Sequence, residues 1–163
     1  MKIAIEELSK LSPGFLPKKM FEAIARIVVT PTFVVIPFMK TKNGTKVCLK
    51  RRDENASGDT NLLHPTGTII LATDNTLDDT YRRLVKDELS DINIISEPIL
   101  CEIVFAEILR GKEIALLHYA EIDSASPEDL YDPKNLPSDV VKTDIERIES
   151  AYKKFQMNKS DIL

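Results

Sequence analysis

Cysteine and histidine are scarce in this sequence, with two of each among 163 residues. Cys48 and Cys101 both lie inside apolar segments that are typical of strands. We therefore interpret them as reduced thiols in the core of a cytoplasmic protein. The same scarcity argues against a structural zinc site, which needs four such ligands at close spacing.

Long apolar and long basic segments are also missing. No apolar run is long enough to span a membrane, and residues 1–10 lack the apolar core of a signal peptide, so we expect no membrane contact. Acidic residues outnumber basic ones by 26 to 22, and the basic cluster Lys50 to Arg52 is short. We therefore expect no nucleic acid as partner, whereas a nucleotide-sized ligand stays open.

What is present is the composition of one globular domain spanning residues 1–163, since 43% of the residues are hydrophobic. Residues 1–27 predict a helical segment in two pieces, which we interpret as packing on the domain edge, with a dimer arm as the alternative. Residues 139–156 predict a C-terminal helix. Strands, a central helix and a long hairpin at 100–122 lie between them, which predicts an α+β fold.

The segment from Gly67 to Leu89 carries the main motif. From Leu77 onward, apolar residues recur every three or four positions, which predicts an amphipathic helix that Thr76 caps. The helix ends in an acidic pair, Asp87-Glu88, and it follows a loop that contains proline and glycine. A strand, such a loop and a helix that ends in carboxylates together indicate a metal-dependent site.

This segment resembles the motif of the Nudix hydrolase superfamily. In that motif five residues separate a Gly from an isolated Glu. Seven further residues separate this Glu from the sequence Arg-Glu-U-x-Glu-Glu-x-Gly-U, in which U is aliphatic. Gly67 stands at the opening Gly, and residues 83–88 stand at Arg-Glu-U-x-Glu-Glu. Asn75 stands at the isolated Glu if the loop is two residues longer. Leu84 replaces one Glu, as in the GDP-mannose mannosyl hydrolase branch, which the segment resembles most.

The resemblance implies an α/β/α sandwich with a mixed central sheet. It also implies Mg²⁺, with Mn²⁺ as the alternative, held by Asp87, Glu88 and the carbonyl of Gly67. Arg83 would brace the loop by pairing with the isolated acidic residue of the motif. Because Asn75 carries no charge, the neighbouring Asp74 is the candidate for that pairing.

Two departures weaken the metal site. Leu84 removes one of three carboxylates that would share a helix face and places an apolar group at the metal. Asn75 removes the charge that should oppose Arg83. Asp87 is also one methylene shorter than the family's Glu, so Glu88 is the one ligand kept unchanged.

Several residues outside the helix are further candidates, and each has a plain structural alternative. Glu107 is the candidate catalytic base, or else a solvent-facing strand residue. Arg51 and Arg52 would bind a diphosphate, or else end a strand in solvent. His64 would contact a phosphate or a base, or else belong to a plain loop.

Among the rings, Tyr131 and Phe105 would stack on a base, or else pack in the core. His118 lies among apolar residues, and we interpret it as a buried strand residue.

Two functional hypotheses follow. The first is a Mg²⁺-dependent hydrolase of a nucleoside diphosphate linked to another moiety, in which Asp87 and Glu88 bind the metal. The second is a decayed module of the same fold, which binds a nucleotide or a protein partner without turnover. We expect a nucleotide-type small molecule as the main ligand, and a homodimer stays open.

Overall fold

The computed structural model describes residues 6–53 and 60–158. Residues 6–8 of this part are helical, and longer α-helices are α1 (Lys18–Ala25), α2 (Leu77–Glu88) and α3 (Lys142–Met157). The strands are β1 (Thr30–Thr41), β2 (Gly44–Cys48), β3 (Lys50–Arg51), β4 (Leu63–His64), β5 (Thr66–Ile69), β6 (Asn93–Ile94), β7 (Ile99–Ile108), β8 (Gly111–Ser124) and β9 (Leu130–Tyr131). No described helix has the length and apolar character needed to cross a membrane.

Strand β1 is the centre of a mixed seven-stranded sheet. It pairs in parallel with β8 along most of its length, and antiparallel with β5 and β2 on its other side. Strand β7 pairs with β8 as the predicted long hairpin, while β3 and β4 form a separate two-stranded sheet. The predicted mixed sheet of an α+β fold is confirmed.

The alternation of β1 separates two hydrophobic clusters, one on each face of the sheet. Val34, Ile36 and Phe38 pack on one face together with Ile148 of α3. On the other face, two residues of β1 pack against Leu84 of α2. The sheet therefore lies between α2 and α3, which confirms the expected α/β/α sandwich.

Strand β1 contains two prolines although it lies at the centre of the sheet. Strand prolines usually lie at an edge, a bulge or the start of a strand. The carbonyl of Pro31 accepts a hydrogen bond from Ile70, so odd-numbered residues of β1 turn their backbone toward β5 and β2. Pro37 falls between the ends of these two strands, since β5 pairs up to Val35 and β2 pairs from Phe38. Its missing N–H therefore removes no ladder bond, and a central strand tolerates it.

Helix α2 begins as the sequence predicted. The hydroxyl of Thr76 accepts a hydrogen bond from the N–H of Asp79, and the Asp79 carboxylate accepts one from the N–H of Thr76, which is a reciprocal capping box. The C-terminal helix starts at Lys142, three residues later than predicted.

Candidate functional site

Arg83 locks the loop before α2 to the helix. Its guanidinium donates to both carboxylate oxygens of Asp74, at 3.3 and 2.7 Å, to the Thr68 hydroxyl at 2.7 Å and to the Ile69 carbonyl at 2.7 Å. Asp74 also accepts from the N–H of Leu71 and from the Thr80 hydroxyl, each at 2.9 Å. These hydrogen bonds, with those from Arg83 foremost, lower the pKa of Asp74 to about 2. Asp74 thus makes the contact for which it was the candidate.

Leu84 belongs to the core. Its side chain is 1% exposed and packs in the cluster that contains Phe33 and Val35. The turn of α2 that holds Leu84 therefore faces the sheet. Glu88 follows one turn later on the same side of α2, so the placement of an apolar group beside a metal stays a prediction.

Asp87 and Glu88 are exposed residues in the last turn of α2. Neither carboxylate forms an ion pair or hydrogen bond with another described residue. Desolvation raises the pKa of Glu88 and the charge of Asp87 adds to the rise, whereas Arg52 and Arg83 lower it. Two adjacent carboxylates without an ion pair fit a hard divalent cation, which takes oxygen ligands.

The donor set is nevertheless small. No group of three His, Cys, Asp or Glu side chains in residues 6–53 and 60–158 is arranged to hold a metal ion. Mg²⁺ is often held by one or two carboxylates together with substrate phosphates and water. The residues present therefore fit an ion that binds together with a phosphorylated ligand.

A cavity of about 420 Å³ lies between β1, β5, the tip of the β7–β8 hairpin and the start of α3. Four of the residues singled out from the sequence line it: Arg52, His64, Gly67 and Glu107. A Cβ at Gly67 would lie 3.0 Å from the Val34 side chain and 3.3 Å from the Phe33 carbonyl oxygen, so a larger residue would be tightly packed here. The opening Gly of the motif thus sits at the wall of the cavity.

Arg51, which we expected from the sequence to bind a diphosphate together with Arg52, does not line the cavity. Its guanidinium pairs with the Asp139 carboxylate at 2.8 Å. Arg51 and Arg52 are neighbours in the sequence, yet the structure brings Arg52 alone of the two to the cavity. Strand alternation separates them, since successive side chains point to opposite sides.

His64 is neutral in this setting. Burial lowers its pKa to about 4, with a further decrease from the positive charge of Arg52. At neutral pH its ring can therefore donate one hydrogen bond and accept another. His118 lies elsewhere, buried and stacked on Phe33 with the ring centroids 4.1 Å apart, as expected for a strand residue.

Neither aromatic candidate for base stacking lines the cavity. Tyr131 packs against the core cluster, and Phe105 is exposed on the hairpin. Phe15, from the segment before α1, lines the cavity instead and is 73% exposed. The Arg83 guanidinium carbon lies 5.5 Å from the centre of its ring. Sequence reasoning missed Phe15 because only tertiary structure places this segment beside the loop.

The deep end of the cavity holds buried charges that the sequence did not reveal. Glu113 of β8 accepts a hydrogen bond from Arg147 of α3, which also pairs with Asp144 at 3.2 Å. Thr32 donates to Glu113 at 3.2 Å, and Arg110 approaches it at 3.6 Å. Asp144 and Arg147 stand three residues apart on one helix, but nothing in the sequence linked them to Glu113.

Neither a protein-family model nor a curated protein matches this sequence. Solved structures do match. The Nudix domain of Shewanella oneidensis NrtR, complexed with ADP ribose, is 15% identical over 86% of this chain and 99% of that chain, with a TM-score of 0.60. A Nudix hydrolase from Nitrosomonas europaea is 8% identical over 78% and 90% of the two chains, with a TM-score of 0.56.

The Ap4A hydrolase of C. elegans is 10% identical over 79% of this chain and 99% of that chain, with a TM-score of 0.52. The chain therefore has the Nudix fold, as the motif around Gly67 predicted. A structure of NrtR with a 27mer DNA is also similar, at 17% identity over 77% and 62% of the two chains and a TM-score of 0.58. Two expectations from the sequence stay predictions. One is that this chain has no nucleic acid as partner, and the other is that the mannosyl hydrolases are its nearest branch.

Proposed function

We propose that this protein binds a nucleoside diphosphate linked to another moiety and hydrolyses it with Mg²⁺ or Mn²⁺. The observation that carries the proposal is the position of Arg52, which lines the cavity and acts electrostatically on Glu88 at the end of α2. A diphosphate beside Arg52 would therefore lie between the cavity and the two carboxylates. The ADP ribose in the similar NrtR domain supports a ligand of this class.

Each residue has a proposed role in this reaction. Arg52 binds the diphosphate through charge-assisted hydrogen bonds. Asp87 and Glu88 would hold the metal together with the Gly67 carbonyl, and the metal would neutralise charge at the phosphates. Glu107, an exposed residue of β7 that lines the cavity, is the candidate base for a proton of the attacking water.

Other residues position the ligand or the loop. Arg83 and Asp74 keep the loop and helix in one arrangement, which preserves the placement of Gly67 relative to Glu88. Phe15 offers an exposed ring for a nucleobase at the cavity. His64, neutral and half-buried, provides a hydrogen bond without adding charge.

Binding without turnover is the second candidate function. It is favoured by the residues at and beside the motif's carboxylate positions, few of which are available to a metal. Leu84 is part of the core, and Asp74 is fully engaged by Arg83 and the loop. Only Asp87 and Glu88 then remain for a metal, one fewer than the three carboxylates of the family's helix face.

The test combines binding and turnover. ADP-ribose and other nucleoside diphosphate conjugates are incubated with Mg²⁺ or Mn²⁺, and product is measured beside the Glu88→Gln variant and the control Glu149→Gln, an exposed residue of α3 remote from the cavity lining. Metal-dependent product release that Glu88→Gln removes and Glu149→Gln keeps is the expected result. Calorimetry that shows binding while no substrate is hydrolysed would favour the second candidate. Absence of both binding and hydrolysis would overturn the proposal.

We further propose that residues 1–163 form one domain that works in the cytoplasm. A homodimer stays a prediction, and sedimentation equilibrium of the full chain measures it directly.

A further inference from the structure

Arg110 is held at the tip of the β7–β8 hairpin. The next residue, Gly111, has a φ of +136°, and a Cβ there would lie 2.3 Å from the carbonyl oxygen of Ala25 in α1. The hairpin tip therefore rests directly on α1. The Arg110 guanidinium carbon also lies 5.8 Å from the centre of the Phe21 ring, within range of a cation–π contact. These contacts fix the side chain where it lines the cavity.

The guanidinium of Arg110 lacks hydrogen-bond acceptors. Its side chain is 19% exposed, yet among the described residues it forms no hydrogen bond. Its Nε is fully buried without a partner. An arginine presents five N–H donors, and the one on the covered Nε is out of reach of a ligand. An acceptor that the described part of the chain does not supply would therefore meet the terminal Nη groups.

Glu113, the nearest acid, is already engaged. Its Oε1 accepts from Arg147, and its Oε2 accepts from Thr32 at 3.2 Å. The distance from Glu113 to Arg110 is 3.6 Å, which is too long for a good hydrogen bond. Arg147, by contrast, is satisfied by both Glu113 and Asp144.

Two neighbouring arginines act on Arg110. The charged residues that line the cavity have no net charge together, since three arginines (Arg52, Arg110 and Arg147) face three acids (Glu107, Glu113 and Asp144). Burial lowers the pKa of Arg110, Glu113 raises it, and the positive charges of Arg52 and Arg147 lower it further. An oxyanion beside Arg110 would relieve this repulsion and supply the missing acceptors.

We propose that Arg110 forms a phosphate subsite at the deep end of the cavity, separate from the diphosphate position at Arg52. This inference rests on the proposed function, because both use one cavity, and it narrows the ligand. The moiety linked to the nucleoside diphosphate would then carry a phosphate of its own, or free phosphate would bind beside it. Phosphate matches the fork of an arginine in a bidentate manner.

The experiment measures phosphate binding by calorimetry on the full chain. Inorganic phosphate and ribose 5-phosphate are titrated into the wild type, Arg110→Gln, Arg110→Lys and the control Lys112→Gln, which changes an exposed lysine of the same hairpin that does not line the cavity. We expect about tenfold weaker binding in Arg110→Gln, from loss of a charge-assisted hydrogen bond, and an unchanged affinity in the control. Arg110→Lys should fall between, since it keeps the charge and loses the fork.

The outcomes separate the two proposals. Equal phosphate affinity in the wild type and Arg110→Gln, or no phosphate binding by the wild type, would overturn the subsite even if ADP-ribose binds. If Arg110→Gln fails to fold, wild-type affinity in a folded Arg110→Lys would overturn it instead. Tighter binding of ribose 5-phosphate than of inorganic phosphate would show that the phosphate bound at Arg110 is part of the ligand. Equal binding would show that the subsite takes free phosphate. Loss of ADP-ribose binding alone bears on the proposed function and leaves the subsite standing.

Discussion

Replacing Asp74 by Asn tests whether the ion pair with Arg83 holds the loop of the motif on α2. The Asp74 side chain is 8% exposed and accepts hydrogen bonds from Arg83, from the Leu71 N–H and from the Thr80 hydroxyl. Asparagine has nearly the same shape and keeps an acceptor oxygen. The substitution therefore removes mainly the charge that faces Arg83.

The size of the effect follows from the pKa of Asp74, which falls from 3.8 to about 2. At about 1.4 kcal/mol per pKa unit, this shift corresponds to roughly 2.5 kcal/mol of stability at neutral pH. The loop lies near the molecular surface, where solvent screens the charges, so we expect Asp74→Asn to lower the free energy of unfolding by about 1 to 1.5 kcal/mol. The exposed pair of Asp78 and Arg82 provides the matched control.

The assay is urea unfolding of the wild type, Asp74→Asn and Asp78→Asn at several pH values. Because the folded pKa of Asp74 lies below its unfolded value, its contribution is present above pH 4 and is lost as the pH falls toward 2. The difference between the wild type and Asp74→Asn should shrink over that range. An Asp74→Asn variant no less stable at pH 7 than Asp78→Asn would refute the reasoning, as would a difference that does not change with pH.

Two further substitutions test the packing that the structure assigns. Leu84→Glu restores the carboxylate of the family motif but puts a charge into the core. It should lower the free energy of unfolding by more than about 3 kcal/mol and give no gain in metal binding. A folded variant with tighter Mg²⁺ binding by calorimetry would contradict this. Gly111→Ala should lower the thermal midpoint more than Gly44→Ala, because both glycines have positive φ but only Gly111 meets the backbone of Ala25. Equal midpoints by circular dichroism would show that the hairpin does not rest on α1.

The start and the amphipathic character of α2 could be predicted from the sequence around the motif. The capping residues Thr76 and Asp79 and the apolar spacing of α2 depend on neighbours within one or two turns, so the sequence predicts them directly. Asp74 was also readable as the partner of Arg83, because the loop is short and few acids lie within reach. The mixed sheet followed from the resemblance of the segment after Gly67.

The buried side of α2 was harder to read. Leu84 and Val85 are both apolar and adjacent, and the pattern alone does not say which one faces the sheet. The structure buries Leu84 fully and Val85 partly, because β1 presents Phe33 and Val35 at that place. The same reason explains Pro37, whose position between β5 and β2 depends on where two other strands end.

By itself, the sequence determined the loop and helix of the motif and the two carboxylates that remain on it, Asp87 and Glu88, since these depend on spacing along one helix. Only the tertiary structure decided what surrounds them. Arg110 and Glu113 come from the hairpin, Arg147 from α3, and Phe15 from the segment before α1, and they meet at one cavity because the sheet brings distant segments together. Contacts of this kind leave no local pattern, so they could not be predicted from residue order.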